Sequence, residues 1–240
     1  MRYFLEVAYK GTNYSGFQVQ ENANSVQEEV EKAFAILQRD AVALTGSSRT
    51  DTGVHALQNY FHFDYDNVIH PQFIYKINAI LPPDITVKSI RAVAADSHCR
   101  FDAISREYSY FIYRQKDPFL TDRAYFYPYT LDIELLQQAA GIVADYKDFS
   151  SFAKRNSQVK TYICDIQKSE WRYEGETLLY NVKANRFLRG MVRGLTATML
   201  QVGRKKITLE EFRVIIESKD CTKADFSVPG HGLFLVEVTF

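Results

Sequence analysis

The apolar run Tyr3-Phe4-Leu5-Glu6-Val7-Ala8-Tyr9, rich in aromatic and branched side chains, predicts a strand that ends in the turn Lys10-Gly11-Thr12-Asn13. Ser25-Val26-Gln27-Glu28 has the spacing of a capping box. Behind it Val26, Val30, Ala33, Phe34 and Leu37 recur at helical spacing, which predicts a helix to Gln38. A strand is expected within His55 to Phe63, and Phe73, Ile77 and Ile80 mark a short helix after His70-Pro71. Pro82-Pro83 stops that helix, because a residue before proline is pushed out of the helical region, and Ile85 to Ile90 is a further strand. The order is read as strand, helix, strand, strand, helix, strand.

The second half follows a similar plan. Ser105 to Arg114 is a tyrosine-rich strand, and Thr130 to Ala144 a helix with Leu135, Ala139, Ile142 and Val143 on one side. Tyr162 to Tyr173 and Thr177 to Ala184 form a hairpin turning at Glu174-Gly175-Glu176. Phe187, Leu188, Met191, Val192, Leu195, Met199 and Val202 stripe a helix ending near Gly203, with Arg189 and Arg193 one turn apart on its polar face. Thr208-Leu209-Glu210-Glu211 caps one more helix, and Phe234 to Phe240 is a closing strand. Two βαββαβ-like halves predict an α+β chain of two ferredoxin-like lobes packed through a shared sheet, residues 1–104 and residues 105–240. This duplication rests on element order, since no internal repeat is visible in the residues themselves.

Composition narrows the class. A chain of 240 residues with 46% hydrophobic and 24% charged residues is long enough for a substantial core. No apolar run is long enough to span a bilayer, and Met1-Arg2-Tyr3 leads into strand-like sequence, so a cytoplasmic protein is expected. Cys99, Cys164 and Cys221 lie far apart, and the five histidines are scattered, so neither a zinc nor a redox motif is present. The 29 basic residues balance 29 acidic ones, which argues against nucleic-acid binding through bulk charge. Local basic groups remain: Lys154, Arg155 and Lys160, and then Arg186, Arg189, Arg193, Arg204, Lys205 and Lys206.

The segment that most resembles chemistry is Gly46-Ser47-Ser48-Arg49-Thr50-Asp51-Thr52-Gly53-Val54-His55. Glycines at its ends permit a sharp turn. Alternate residues of an extended segment point the same way, so Arg49 and Asp51 are placed to share a face. A carboxylate is ionised at neutral pH and able to act as a nucleophile. The same residues also suit a plain turn closed by an Asx-type hydrogen bond and an ion pair.

Tyr9-Lys10-Gly11-Thr12-Asn13-Tyr14-Ser15-Gly16-Phe17-Gln18, Arg49-Thr50-Asp51-Thr52-Gly53-Val54-His55-Ala56, Leu81-Pro82-Pro83-Asp84-Ile85, Arg100-Phe101-Asp102-Ala103, Arg106-Glu107-Tyr108-Ser109-Tyr110, Phe187-Leu188-Arg189-Gly190-Met191-Val192-Arg193 and Gly232-Leu233-Phe234-Leu235 stand in order along the chain. Together they resemble the tRNA pseudouridine synthases of the TruA type over essentially its whole length. The resemblance implies the pseudouridine synthase fold, two ferredoxin-like lobes sharing a mainly antiparallel sheet with an active-site cleft between them. It implies an isomerase acting on uridines 38, 39 and 40 of the tRNA anticodon stem-loop, a homodimer, and no cofactor or metal, with Asp51 as nucleophile.

By the same resemblance Arg193 pairs with the catalytic carboxylate, Arg49 fills the space left by a flipped uridine, and Tyr108 stacks on the uracil. Leu233 forms a pocket wall and Arg189 contacts phosphate. Plainer roles stand beside these: a cross-strand sheet tyrosine for Tyr108, a solvated basic face for Arg189, strand core for Leu233. Ser48 stands where glycine is commoner in the family and Phe17 where tryptophan is, so Ser48 must tolerate the angle the loop demands. Two other classes share the pattern: a non-catalytic RNA-binding protein with aromatic strands, and a hydrolase using Asp51 and His55 as acid and base.

Overall fold

The computed structural model describes residues 1–155 and 159–240. In chain order the elements are β1 (Arg2–Tyr9), α1 (Val26–Gln38), β2 (Thr45–Gly46), β3 (His55–Asp64), α2 (Phe73–Ile80), β4 (Ile85–Val93) and β5 (Ser105–Tyr113). They continue with β6 (Tyr125–Phe126), α3 (Ile133–Asp145), β7 (Ile166–Glu174), β8 (Thr177–Ala184), α4 (Met191–Gly203), α5 (Leu209–Glu217) and β9 (Leu233–Thr239). The class is α+β, and the pairing is largely antiparallel.

Two compact units are present: Met1–Ile104 together with Phe234–Phe240, and Ser105–Leu233. Residues 234–240, grouped from sequence with the second lobe, are thus counted with the first. The reason is local pairing. β9 runs parallel to β3 through His55↔Phe234 and Ala56↔Leu235. The Ile104 N–H donates to the Thr239 carbonyl at 2.8 Å, and the Val238 N–H donates to Gln58 Oε1 at 2.9 Å.

In the first unit β1 lies between β4 and β3, and β2 pairs with β3, all antiparallel. That order, 4-1-3-2, is the ferredoxin-like one. β2 is the strand that completes the expected order, and two residues carry no periodicity that could reveal it. α1 opens as expected, with the Ser25 hydroxyl accepting from the Glu28 N–H at 3.3 Å. Glu28 does not return the bond; its carboxylate pairs with Lys32 at 2.7 Å instead. Phe34 of α1 fills the core against Phe63, Tyr65 and Phe73, with ring centroids 5.3, 5.5 and 5.4 Å apart.

In the second unit β8 lies between β5 and β7, antiparallel to both, and β6 adds a short parallel pairing to β5. The hairpin turns at Gly175, whose φ of 59° is the left-handed angle glycine accepts. α3 begins later than expected, capped by Asp132 rather than near Thr130, and it buries Leu136 where the spacing suggested Leu135. α5 carries the full capping box, with Thr208 Oγ1 accepting from the Glu211 N–H at 3.1 Å and Glu211 accepting from the Thr208 N–H at 2.7 Å. α4 begins at Met191, so Phe187, Leu188 and Arg189 precede it. Their apolar spacing continues the stripe, but Gly190 interrupts the helix with φ 77°.

Candidate active site

The Arg49–Asp51 loop leaves β2 and enters β3 under close restraint from the first unit. The Ser47 N–H donates to the Tyr60 carbonyl at 2.8 Å, and the Ser48 carbonyl accepts from Asn59 Nδ2 at 2.8 Å. Thr50 is buried, its hydroxyl 2.8 Å from the Tyr9 hydroxyl, and its carbonyl accepts from the Phe17 N–H at 3.1 Å. The Val54 N–H then closes a turn onto the Asp51 carbonyl at 3.1 Å. Burial follows the alternation expected of an extended segment: Arg49 is exposed, Thr50 buried and Asp51 half-buried.

The end glycines serve differently from each other. Gly53 uses a φ of 76°, while Gly46 provides space, since a Cβ there would stand 2.5 Å from the Phe17 ring. Ser48 is outside the left-handed region, so the loop makes no demand that a side chain resists. Phe17 is itself buried, stacked on Phe61 at 4.5 Å and on Tyr9 at 5.6 Å.

His55 does not sit as a free base. The Gly11 N–H donates to its Nδ1 at 3.0 Å, and its ring packs 4.4 Å from Phe234 with 1% of the residue exposed. Its Nδ1 lone pair is spent on the main chain, which favours a structural histidine over the acid–base partner of a hydrolase. Among the described residues no group of three or more His, Cys, Asp or Glu side chains is arranged to hold a metal ion. No helix among them is long and apolar enough to cross a membrane.

The second unit carries the remaining candidates. Tyr108 lies on β5 opposite Val182 of β8, is 8% exposed, and meets Phe187 edge-to-face at 5.1 Å. Arg189 stands before the break at Gly190, so Arg189 and Arg193 are not one turn apart on a helix face. The Arg189 carbonyl accepts from the Lys154 N–H at 2.9 Å. Arg193, in the first turn of α4, donates from Nε to the Val228 carbonyl at 2.9 Å. One residue on, the Pro229 carbonyl accepts from the Tyr110 hydroxyl at 2.8 Å. Burial pushes the Tyr110 phenol up, and the Arg193 guanidinium nearby opposes that shift. The segment 228–233 thus ties Arg193 and Tyr110 to Leu233, which is buried at the start of β9.

Asp51 and Arg49 therefore share one loop of the first unit, and Tyr108, Arg189, Arg193 and Leu233 belong to the second. Residue spacing missed Asn59 and Tyr9, whose side chains reach that loop. The available signal was an amide directly before the apolar pair Tyr60-Phe61, because a buried amide requires partners.

A family model described as tRNA pseudouridine synthase matches residues 6–102 and 146–240. The chain is 45% identical over 241 residues to tRNA pseudouridine synthase A of Parabacteroides distasonis, covering 100% of this chain and 96% of that protein. It is 45% identical over 243 residues to tRNA pseudouridine synthase A of Bacteroides thetaiotaomicron, with 100% and 90% covered. The protein of the same name from Staphylococcus aureus is 36% identical over 241 residues, with 99% and 91% covered.

Proposed function

The chain belongs to the tRNA pseudouridine synthase family, isomerases that make pseudouridine in tRNA, and on that premise we propose that it converts uridines 38, 39 and 40 of the anticodon stem-loop with Asp51 as nucleophile. The reaction breaks the bond from C1′ of the ribose to N1 of uracil and makes one from C1′ to C5. The C5 proton leaves and N1, freed from the ribose, takes up one proton, so atoms balance with no added oxidant or reductant. The Asp51 carboxylate serves by adding to the sugar or to the base, and is regenerated on either route.

A stacked uridine must leave the helix before any group reaches it. Arg49, exposed beside Asp51, carries a flat and permanently charged surface suited to the vacated space. Tyr108 offers an aromatic face and a hydroxyl to the extruded base, and Leu233 an apolar wall. Arg193 is assigned as the counter-ion that orients the carboxylate, and Arg189 as a phosphate contact. No cofactor has a place in this chemistry. Zero net charge fits a homodimer whose basic surface is assembled from two copies around one tRNA, acting in the cytoplasm.

The observation that carries this reading is the restrained loop, in which buried Thr50 leaves Arg49 and Asp51 facing outward together. The test is to map pseudouridine in tRNA from cells with and without the protein. Loss confined to positions 38 to 40 is expected, and an unchanged map there would contradict it.

A further inference from the structure

We propose that Asn59 and Tyr9 are positioning residues for the nucleophile, setting the path of the Ser48–Asp51 backbone; this rests on the assignment of Asp51 above. Asn59 is fully buried at the centre of β3, where an amide without partners is costly. Its Oδ1 accepts from the Tyr60 N–H at 2.9 Å, which fixes the other end of the amide as the donor. Nδ2 then donates twice, to the Ser48 carbonyl at 2.8 Å and to the Tyr9 hydroxyl at 3.2 Å.

That arrangement leads to the next bond. The Tyr9 hydroxyl accepts from Asn59 and lies 2.8 Å from Thr50 Oγ1, a bond in which either hydroxyl can donate. Tyr9 is 5% exposed, so its ring is held by the packing of the core. The network therefore grips the residue before Arg49 and the residue before Asp51, one on each side of the exposed arginine. Side chains from β1 and β3 hold the loop at its two ends, and the Phe17 N–H holds the Thr50 carbonyl.

The placement matters because a nucleophile displaced by about 1 Å loses about 10²-fold in rate even when its chemistry is intact. A buried network that served stability alone would alter unfolding. One that places Asp51 alters the chemical step and leaves the tRNA-binding surfaces in the second unit as they were.

The test uses the full-length protein and single-turnover conversion of a tRNA bearing a target uridine. Tyr9→Phe and Thr50→Val each remove one hydroxyl and keep the shape of the core. Each is expected to slow conversion about 10- to 100-fold, with tRNA affinity within about twofold and a retained unfolding transition. The double variant is expected to be no slower than the worse single, because both changes break the same bond. Tyr60→Phe, which removes a hydroxyl bonded to Gln58 on the same strand, serves as the control at wild-type rate. Wild-type conversion by both single variants, a matching loss of affinity, or additive losses in the double variant would each overturn the proposal. Asp51→Asn is run in parallel: conversion by that variant would fail the nucleophile assignment itself, an outcome distinct from any result with Tyr9 and Thr50.

Discussion

The loop of the first unit and the candidate groups of the second are held by different physics. Arg49 to Asp51 hangs from directional hydrogen bonds to the side chains of Asn59 and Tyr9, supplied by two strands of one sheet. Tyr108 packs edge-to-face on Phe187, Leu233 is buried, and Arg193 donates to a main-chain carbonyl that any residue at 228 would supply. Hydrogen bonds fix a position sharply and tolerate few substitutions; packing fixes a shape and accepts many. A nucleophile needs the first kind of restraint and a base-binding wall the second.

The comparison can be strained most severely at Gly11, where the turn after β1 touches the end of the loop. A Cβ at Gly11 would lie 2.0 Å from the Val54 carbonyl oxygen, a backbone atom that cannot step aside. Gly11→Ala is expected to cost about 3 kcal/mol or more. In a chain of this size that lowers the melting temperature by roughly 2–4 °C per kcal/mol, with conversion lost alongside. Thermal unfolding equal to wild type would show that the turn is not rigid.

A smaller effect is expected in the second unit. Arg193→Lys keeps the charge and loses the Nε bond to Val228, so conversion should fall about tenfold, as a charge-assisted bond of about 1.5–3 kcal/mol allows. The melting temperature should fall by only a few degrees, with the fold retained. Loss of folding in this variant would mean that Arg193 is a structural anchor of the 228–233 segment rather than a partner for the carboxylate.

The mildest test concerns pH. His62 is buried beside His98, its Nδ1 3.2 Å from Cys99 Sγ, and Cys99 Sγ donates to the Thr45 carbonyl at 3.2 Å. Burial, with the neighbouring His98 and Arg2, holds the imidazole below its usual value against the opposing pull of Asp64 and Asp102. The unfolded chain then takes up the proton more readily, so the stability His62 contributes is present above about pH 6.5 and is lost as pH falls through the folded value. Melting temperature should decline more steeply from pH 7.5 to 5.5 in wild type than in His62→Gln. Equal slopes would show that His62 is not coupled to folding.

Local strings were legible from sequence and long-range restraints were not. The Arg49–Asp51 loop, the N-cap at Ser25, the capping box at Thr208 and the β7–β8 hairpin each lie within a few neighbouring residues. Tyr9 meets Thr50 across 41 residues and Asn59 across 50, and no spacing rule connects them. Apolar Phe187 and Leu188 extended the stripe of α4 past the break at Gly190, because periodicity records burial and not backbone angle. β9 is legible as a strand, but its pairing with β3 depends on partners chosen far along the chain.

The claim that Asp51 performs the chemistry is tested most directly by single-turnover conversion with Asp51→Asn, which keeps size and removes the negative charge, alongside tRNA affinity. Conversion should fall at least about 10³-fold, as expected for loss of a nucleophile, with affinity within about threefold. Pseudouridine formed at the wild-type rate by this variant would contradict the assignment.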